Sequence, residues 1–162
     1  SGPYGHQWGL VTDRRNAPAD GDTLQHEADV ITEFSWKPAS AELLKIDIRR
    51  TDDDNLISVR CNQSLGNISI VKREVASDTI LSSVSHTWTT GTGYTIRIIA
   101  NEDSIKTYVD HVLKNSVTET FNQTALEAKA SGFTSGEAFA CFPIKLSSDA
   151  ASELDSLGSN EE

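Results

Sequence analysis

Gly93–Lys114 reads G-Y-T-I-R-I-I-A-N-E-D-S-I-K-T-Y-V-D-H-V-L-K. Two alternating runs meet at a polar break. In the first, Tyr94, Ile96, Ile98 and Ala100 share one face, with Thr95, Arg97 and Ile99 on the other. In the second, Ile105, Thr107 and Val109 oppose Lys106, Tyr108 and Asp110. Successive side chains of a strand point to opposite faces, so this two-residue period predicts two strands, each with one buried face. Asn101-Glu102-Asp103-Ser104 supplies turn formers between them and makes the pair an antiparallel hairpin. Asp110-His111 marks a second turn before Val112-Leu113.

The same period extends in both directions. Leu24–Trp36 reads as one long strand, with Ala28, Val30, Thr32, Phe34 and Trp36 on one face, ended by Lys37-Pro38. Leu43–Arg50 follows, with Leu44, Ile46 and Ile48 inward and Lys45, Asp47 and Arg49 outward. After the turn Thr51-Asp52-Asp53-Asp54-Asn55, the run Leu56–Cys61 returns with Ile57, Val59 and Cys61 inward. Ile68–Arg73, Asp78–Ser85, Val112–Val117, Ala125–Ser131 and Glu137–Leu146 complete the set, and Pro143 predicts an edge position or a bulge for the last of them. Residues 1–23 read as an irregular N-terminal segment, with Trp8–Thr12 as a short strand and Asp13–Thr23 as a polar loop. Residues 147–162 form an acidic tail poor in apolar residues. About nine to twelve short strands, punctuated by turns and almost without helical periodicity, predict an antiparallel all-β sandwich or barrel over residues 24–146.

A chain of 162 residues is one domain's worth and needs no staple to fold. Its net charge of −10 argues against nucleic-acid binding and against docking on anionic lipid. No apolar run approaches the ~20 residues of a membrane span. There is no methionine, so Ser1-Gly2-Pro3 reads as a processed end, an excised domain or a cloning scar. Cys61 and Cys141 lie 80 positions apart and fit no metal spacing. Both fall in predicted strands, where buried free thiols are expected ahead of a disulfide.

The strand order resembles the concanavalin A-like, laminin G-like jelly-roll superfamily, in particular modules of bacteriophage tail and virion proteins and of bacterial extracellular proteins. The residues that carry the resemblance are Ala28–Phe34, then Lys45–Arg50 with Asn55–Arg60 about the aspartate-rich turn, Ile68–Arg73, the Tyr94–Asn101 and Ile105–Asp110 hairpin, Ser131-Gly132-Phe133 and Ala138–Ile144. It implies an antiparallel two-sheet jelly-roll β-sandwich. It also implies a non-enzymatic structural or adhesive module of a virion or extracellular assembly, with glycan binding as its activity. The implied partners are a glycan or host-surface receptor and neighbouring domains or subunits. Two departures stand out. Asp110-His111 replaces the usual Asp-Gly, which predicts a different turn type because histidine takes φ > 0 at a cost. The first strand is not evident in residues 1–26, which leaves the sheet to be completed by a neighbouring domain or chain.

Glucanases on this fold carry a catalytic strand of alternating carboxylates, which makes Glu27, Asp29 and Glu33 candidates for that role. From Glu27 to Glu33 an extended strand covers about 20 Å. A retaining carboxylate pair needs roughly 5 to 5.5 Å, so these residues read as a solvated strand face and a glycoside hydrolase is the disfavoured alternative. A capsid or tail domain with no ligand is the other alternative. Asp52, Asp53 and Asp54 are candidate calcium ligands, because hard cations take carboxylate oxygens. They also suit a turn for their own backbone-bonding reasons. No other cofactor is implied. His6, His26, His86 and His111 sit singly, and Gly91 and Gly93 precede a strand, so no phosphate loop is present. Three glycosylation sequons begin at Asn62, Asn67 and Asn122, a tripeptide that often arises by chance. Tyr108 is the one aromatic placed as an exposed platform, and with the Asp110-His111 turn it forms the candidate ligand site.

Overall fold

The computed structural model describes residues 13–144. The Trp8–Thr12 strand, the end of the Glu137–Leu146 run and the acidic tail lie outside the described residues. Twelve strands occur among the described residues, in the order β1 Asp13–Asn16, β2 Asp22–Gln25, β3 Val30–Trp36, β4 Leu43–Asp52, β5 Asn55–Asn62, β6 Asn67–Glu74, β7 Ser77–Ser85, β8 Tyr94–Asn101, β9 Ser104–Val109, β10 Val112–Thr118, β11 Glu127–Ser131 and β12 Gly136–Pro143. There is no helix among the described residues. The first six-stranded sheet runs β1-β12-β3-β8-β9-β10 and the second runs β2-β11-β4-β5-β6-β7. Every pairing is antiparallel. The molecule is a two-sheet jelly-roll β-sandwich, as the alternation and the resemblance predict.

The inner faces are the predicted ones. Ile96, Ile98, Ala100 and Ile105 from the opening hairpin have no exposed surface. They meet Leu44, Ile46, Ile57, Val59, Cys61, Ile68 and Ile70 from the second sheet in one apolar cluster. Trp36, Trp88 and Tyr94 close one end, with Trp88 centred 5.2 Å from Trp36 and 5.0 Å from Tyr94. Cys61 and Cys141 are buried free thiols on opposite sheets. Burial pushes both up, Cys141 to about 12, which keeps them protonated and unreactive.

Five local expectations change. Leu24–Trp36 is two strands in different sheets, β2 and β3. Leu24 and Val30 are both buried and lie an even number of residues apart, so the alternation runs in phase across the break and conceals it. Asp13–Asn16 is a strand rather than part of a polar loop. It pairs with β12 from Asp13↔Cys141 to Asn16↔Ala138 through its backbone, and D-R-R-N offers no apolar alternation to reveal it.

Arg49 is not outward. β4 spends four residues, Asp47 to Arg50, against three of β11, Lys129 to Glu127. The extra residue is a β-bulge, and Arg49 takes φ 48° there and turns into the sandwich with no exposed surface. The Asp110-His111 turn has φ 47° and 72°, the doubly left-handed geometry of a two-residue hairpin, despite the missing glycine. Thr95 N–H donates to Asp110 Oδ1 at 2.8 Å and Asp110 N–H donates to the Thr95 carbonyl at 2.9 Å, which offsets the conformational cost. Finally, β12 lies between β1 and β3, its bulge falls between Gly136 and Ala138, and Pro143 is simply its last residue.

One buried polar side chain ties the sheets together. β10 has a bulge between Leu113 and Asn115, which turns Asn115 inward. Its amide donates to the Ile68 carbonyl at 3.2 Å and to Ser82 at 2.9 Å, and its oxygen accepts from Thr107 at 2.6 Å. Every polar group in this network has a partner.

Candidate functional site

The outer face of the second sheet carries most of the chemistry. Antiparallel register aligns side chains from five strands. One row runs Lys129, Asp47, Ser58, Val71 and Ile80 across β11, β4, β5, β6 and β7. The next runs Ser131, Lys45, Arg60, Ser69 and Ser83. On the other side Leu56, Arg73 and Asp78 are in line. All these residues face away from the core, because their neighbours in sequence face into it.

Two depressions follow from this arrangement. One of about 270 Å³ is bounded by Lys45, Asp47, Asp53, Arg60, Arg73, Asp78 and Lys129. A second of about 300 Å³ has more apolar walls, from Leu43, Leu65, Val71 and Ile80, with Asn62 and Asn67 at its end. They adjoin at the Arg60–Asp78 ion pair and are together called the furrow. No aromatic side chain lines it among the described residues.

A lattice of charge holds the walls. Asp78 accepts from Arg60 Nη1 at 3.1 Å and from Arg73 Nη1 at 3.0 Å. Partial burial acts to raise its pKa, but the hydrogen bonds and charges of these two guanidinium groups outweigh it and hold the carboxyl below the ordinary aspartate value. Asp53 accepts from Arg50 Nη2 at 2.6 Å and Lys129 Nζ at 3.0 Å, which pulls its carboxyl down to about 2. Arg50 also pairs with Glu127 on β11.

Asp47 is different. It lies in the floor, 8% exposed, and its Oδ1 is buried without a hydrogen-bond partner. Burial pushes its carboxyl up, against smaller opposing effects from the Ser58 hydroxyl and the charges of Arg60, Lys45 and Lys129.

The residues singled out in the sequence fall elsewhere. Tyr108 is half-buried on the outer face of the first sheet, between Arg97 on β8 and Leu113 on β10. Asp110 and His111 are exposed at the adjoining hairpin tip. The three remain neighbours, on the sheet opposite the furrow.

Asp52, Asp53 and Asp54 lie in the β4–β5 turn, and their carboxylates go to different partners. Asp52 accepts from Asn55 Nδ2 at 3.0 Å and from the Asp54 N–H at 2.8 Å, Asp53 takes Arg50 and Lys129, and Asp54 takes Arg73 at 3.5 Å. No three His, Cys, Asp or Glu side chains are grouped to hold a metal among the described residues. The carboxylates weighed for hydrolysis are dispersed as well. Glu27 is exposed in the β2–β3 crossover, Asp29 meets Arg49 at 3.3 Å, and Glu33 meets Arg97 at 2.6 Å.

The furrow residues escaped sequence reading because each is an ordinary outward charge on its own strand. Their convergence depends on register among strands far apart in the chain. The one local signal was the density of charge on the outward positions of β4, β5 and β6, which also describes any solvated face.

No protein-family model matches the chain, and no curated protein matches it in sequence. Solved structures do. Galectin LEC-6 of Caenorhabditis elegans superposes with a TM-score of 0.68 at 13% identity, over 79% of this chain and 94% of that one. Sheep galectin-11, in a complex with glycerol, gives 0.61 at 9% identity, over 75% and 98%. The carbohydrate-binding module CBM66 of Bacillus subtilis gives 0.58 at 12% identity, over 78% and 81%. These likenesses establish the architecture, a jelly-roll β-sandwich of the kind shared by galectins and a carbohydrate-binding module.

Proposed function

We propose that this chain is a saccharide-binding module without catalytic activity, and that it takes its ligand in the furrow of the second sheet. The observation that carries the reading is the furrow's lining. Donors from Arg60, Lys45 and Asn67 stand beside acceptors from Asp47, Asp78 and Asn62, at the spacing that strand pairing imposes. A sugar offers hydroxyls that both donate and accept, which suits such a surface better than it suits an apolar ligand. The architecture shared with galectins and a carbohydrate-binding module supports the same reading. Dispersal of Glu27, Asp29 and Glu33 supports binding without turnover. We place the module outside a cell or on a particle, the setting that the family resemblance implies.

A glycan array with a labelled chain tests this. Arg60→Ala should lower saccharide binding tenfold or more, because Arg60 borders both depressions. Tyr108→Ala should leave it unchanged. The reverse pattern would favour a second reading, in which Tyr108, Asp110 and His111 hold the ligand on the first sheet. Leu113 beside Tyr108 is 49% exposed and Val112 is 59% exposed, and they would extend that surface. Silence of all variants and of the parent chain would leave a purely structural role.

A further inference from the structure

Among the described residues four buried side-chain atoms lack a hydrogen-bond partner, His26 Nε2, Asp47 Oδ1, Arg49 Nη1 and Arg50 Nε, and the one that lines the furrow is the oxygen of Asp47. Outward strand residues usually place their polar atoms in water, and a buried acceptor left without a hydrogen bond costs roughly 1–3 kcal/mol. Asp47 Oδ1 carries that cost in the floor of the furrow. The carboxylates around it are matched, Asp78 by Arg60 and Arg73 and Asp53 by Arg50 and Lys129.

We infer that Asp47 Oδ1 is the deep acceptor for one hydroxyl of a neutral saccharide, whose adjacent hydroxyl oxygens accept from Lys45 and Arg60. The inference rests on the saccharide-binding reading above and narrows its substrate class. The groups facing Asp47 decide the charge of the ligand. They are Lys45 on its own strand, Ser58 and Arg60 on β5, Val71 beyond Ser58 on β6, Lys129 on β11, and Asp53 on the β4–β5 turn.

A uronate would set its carboxylate against Asp47. A protonated amino sugar would bring its ammonium among Lys45, Arg60 and Lys129. A neutral hydroxyl satisfies the orphaned oxygen with neither repulsion. Oδ1 itself has no exposed surface, so a ligand reaches it only after neighbouring side chains move, and the lining offers long, flexible ones in Lys45, Lys129 and Arg60. With no aromatic wall among the described residues, recognition falls on hydroxyls, not on a stacked sugar ring.

The test is an NMR titration of the unsubstituted chain, following the Asp47 carboxyl carbon and the backbone amides. The probes are glucose, galactose and mannose, each against glucuronate and protonated glucosamine. The expected result is that at least one neutral hexose shifts the Asp47 carboxyl signal and moves its titration to lower pH, since a donated hydroxyl favours the carboxylate. The charged probes should bind at least tenfold more weakly. Asp47→Ala, checked for folding by its amide spectrum, should weaken the neutral hexose tenfold or more.

Saccharide binding that leaves the Asp47 signal still, or that prefers the uronate or the amino sugar, would overturn this inference and spare the broader reading. No saccharide shifting any signal at tens of millimolar would overturn both. The readout on the parent chain keeps the inference testable even if Asp47→Ala fails to fold.

Discussion

Asp47 and Arg49 stand two positions apart in β4, and solvent reaches 8% of one and none of the other. By strand alternation they should share a face. The bulge separates them, so that Asp47 floors an outer furrow while Arg49 enters the sandwich. Their charges meet different fates. The Arg49 guanidinium donates from Nε to the Ala28 carbonyl and from Nη2 to Asp29, both at 3.3 Å, and pins the β2–β3 crossover between the two sheets. Its Nη1 lacks a partner, but its charge is matched. Asp47 has no ion pair that satisfies Oδ1. A buried charge matched to its surroundings reads as structure, and one left open on the floor of a depression reads as a place for a ligand.

Four substitutions break or sharpen this contrast. Arg49→Ala should have the largest effect, a loss of about 3 kcal/mol in urea unfolding, since it empties a fully buried side-chain site, removes the bond to the Ala28 carbonyl and releases the crossover. A loss under about 1 kcal/mol would put Arg49 on the same footing as Asp47. Asn115→Ala comes next, at about 2 kcal/mol, because it removes the side-chain bonds to the Ile68 carbonyl, to Ser82 and to the Thr107 hydroxyl. It marks what a fully satisfied buried polar group contributes, against which both charges of β4 can be set.

Asp47→Asn should shift stability by less than about 1 kcal/mol at neutral pH, and its signature lies in the pH dependence. The folded chain holds the Asp47 proton more tightly than the unfolded chain, because burial raises its carboxyl above the ordinary 3.8. Between those two values the native state binds more protons, so stability falls as pH rises through the window. The difference between parent and Asp47→Asn, measured by thermal unfolding over a pH series, should therefore favour the parent most at acid pH and shrink as pH rises. Subtraction removes the opposite trend from Asp53 and Asp78, whose carboxyls are held low and whose contributions are lost on acidification. A flat difference would mean that Asp47 titrates as a solvated group. The smallest stability effect belongs to Arg60→Ala, under about 1 kcal/mol, since its pair with Asp78 reaches solvent. Its effect on saccharide binding should be far larger, which separates the furrow's role in binding from its role in folding.

The fold was largely legible. Gly93–Lys114 displays its inward set without ambiguity, and Ile96, Ile98, Ala100, Ile105, Thr107 and Val109 are all buried as the alternation predicts. The break inside Leu24–Trp36 was hidden because strand parity survives the crossover. Arg49 was misplaced because a bulge inverts parity with no sequence marker, arginine standing where glycine would have flagged the left-handed backbone. Tyr108 and the aspartate triplet drew notice as single residues with recognisable chemistry. Asp47, Arg60, Arg73 and Asp78 did not, since no one of them is unusual on its own strand.

By itself the sequence determined most of the strands, their inward apolar residues and the two buried thiols, because each depends on the spacing of apolar residues within a few positions. Only the tertiary structure decided that Lys129, Asp47, Ser58, Val71 and Ile80 form one row, and that the row sinks into a furrow with an open carboxylate in its floor. Register between strands is set by turns, bulges and the packing of one sheet on the other. Those are long-range terms, and alternation along a single strand carries no record of them.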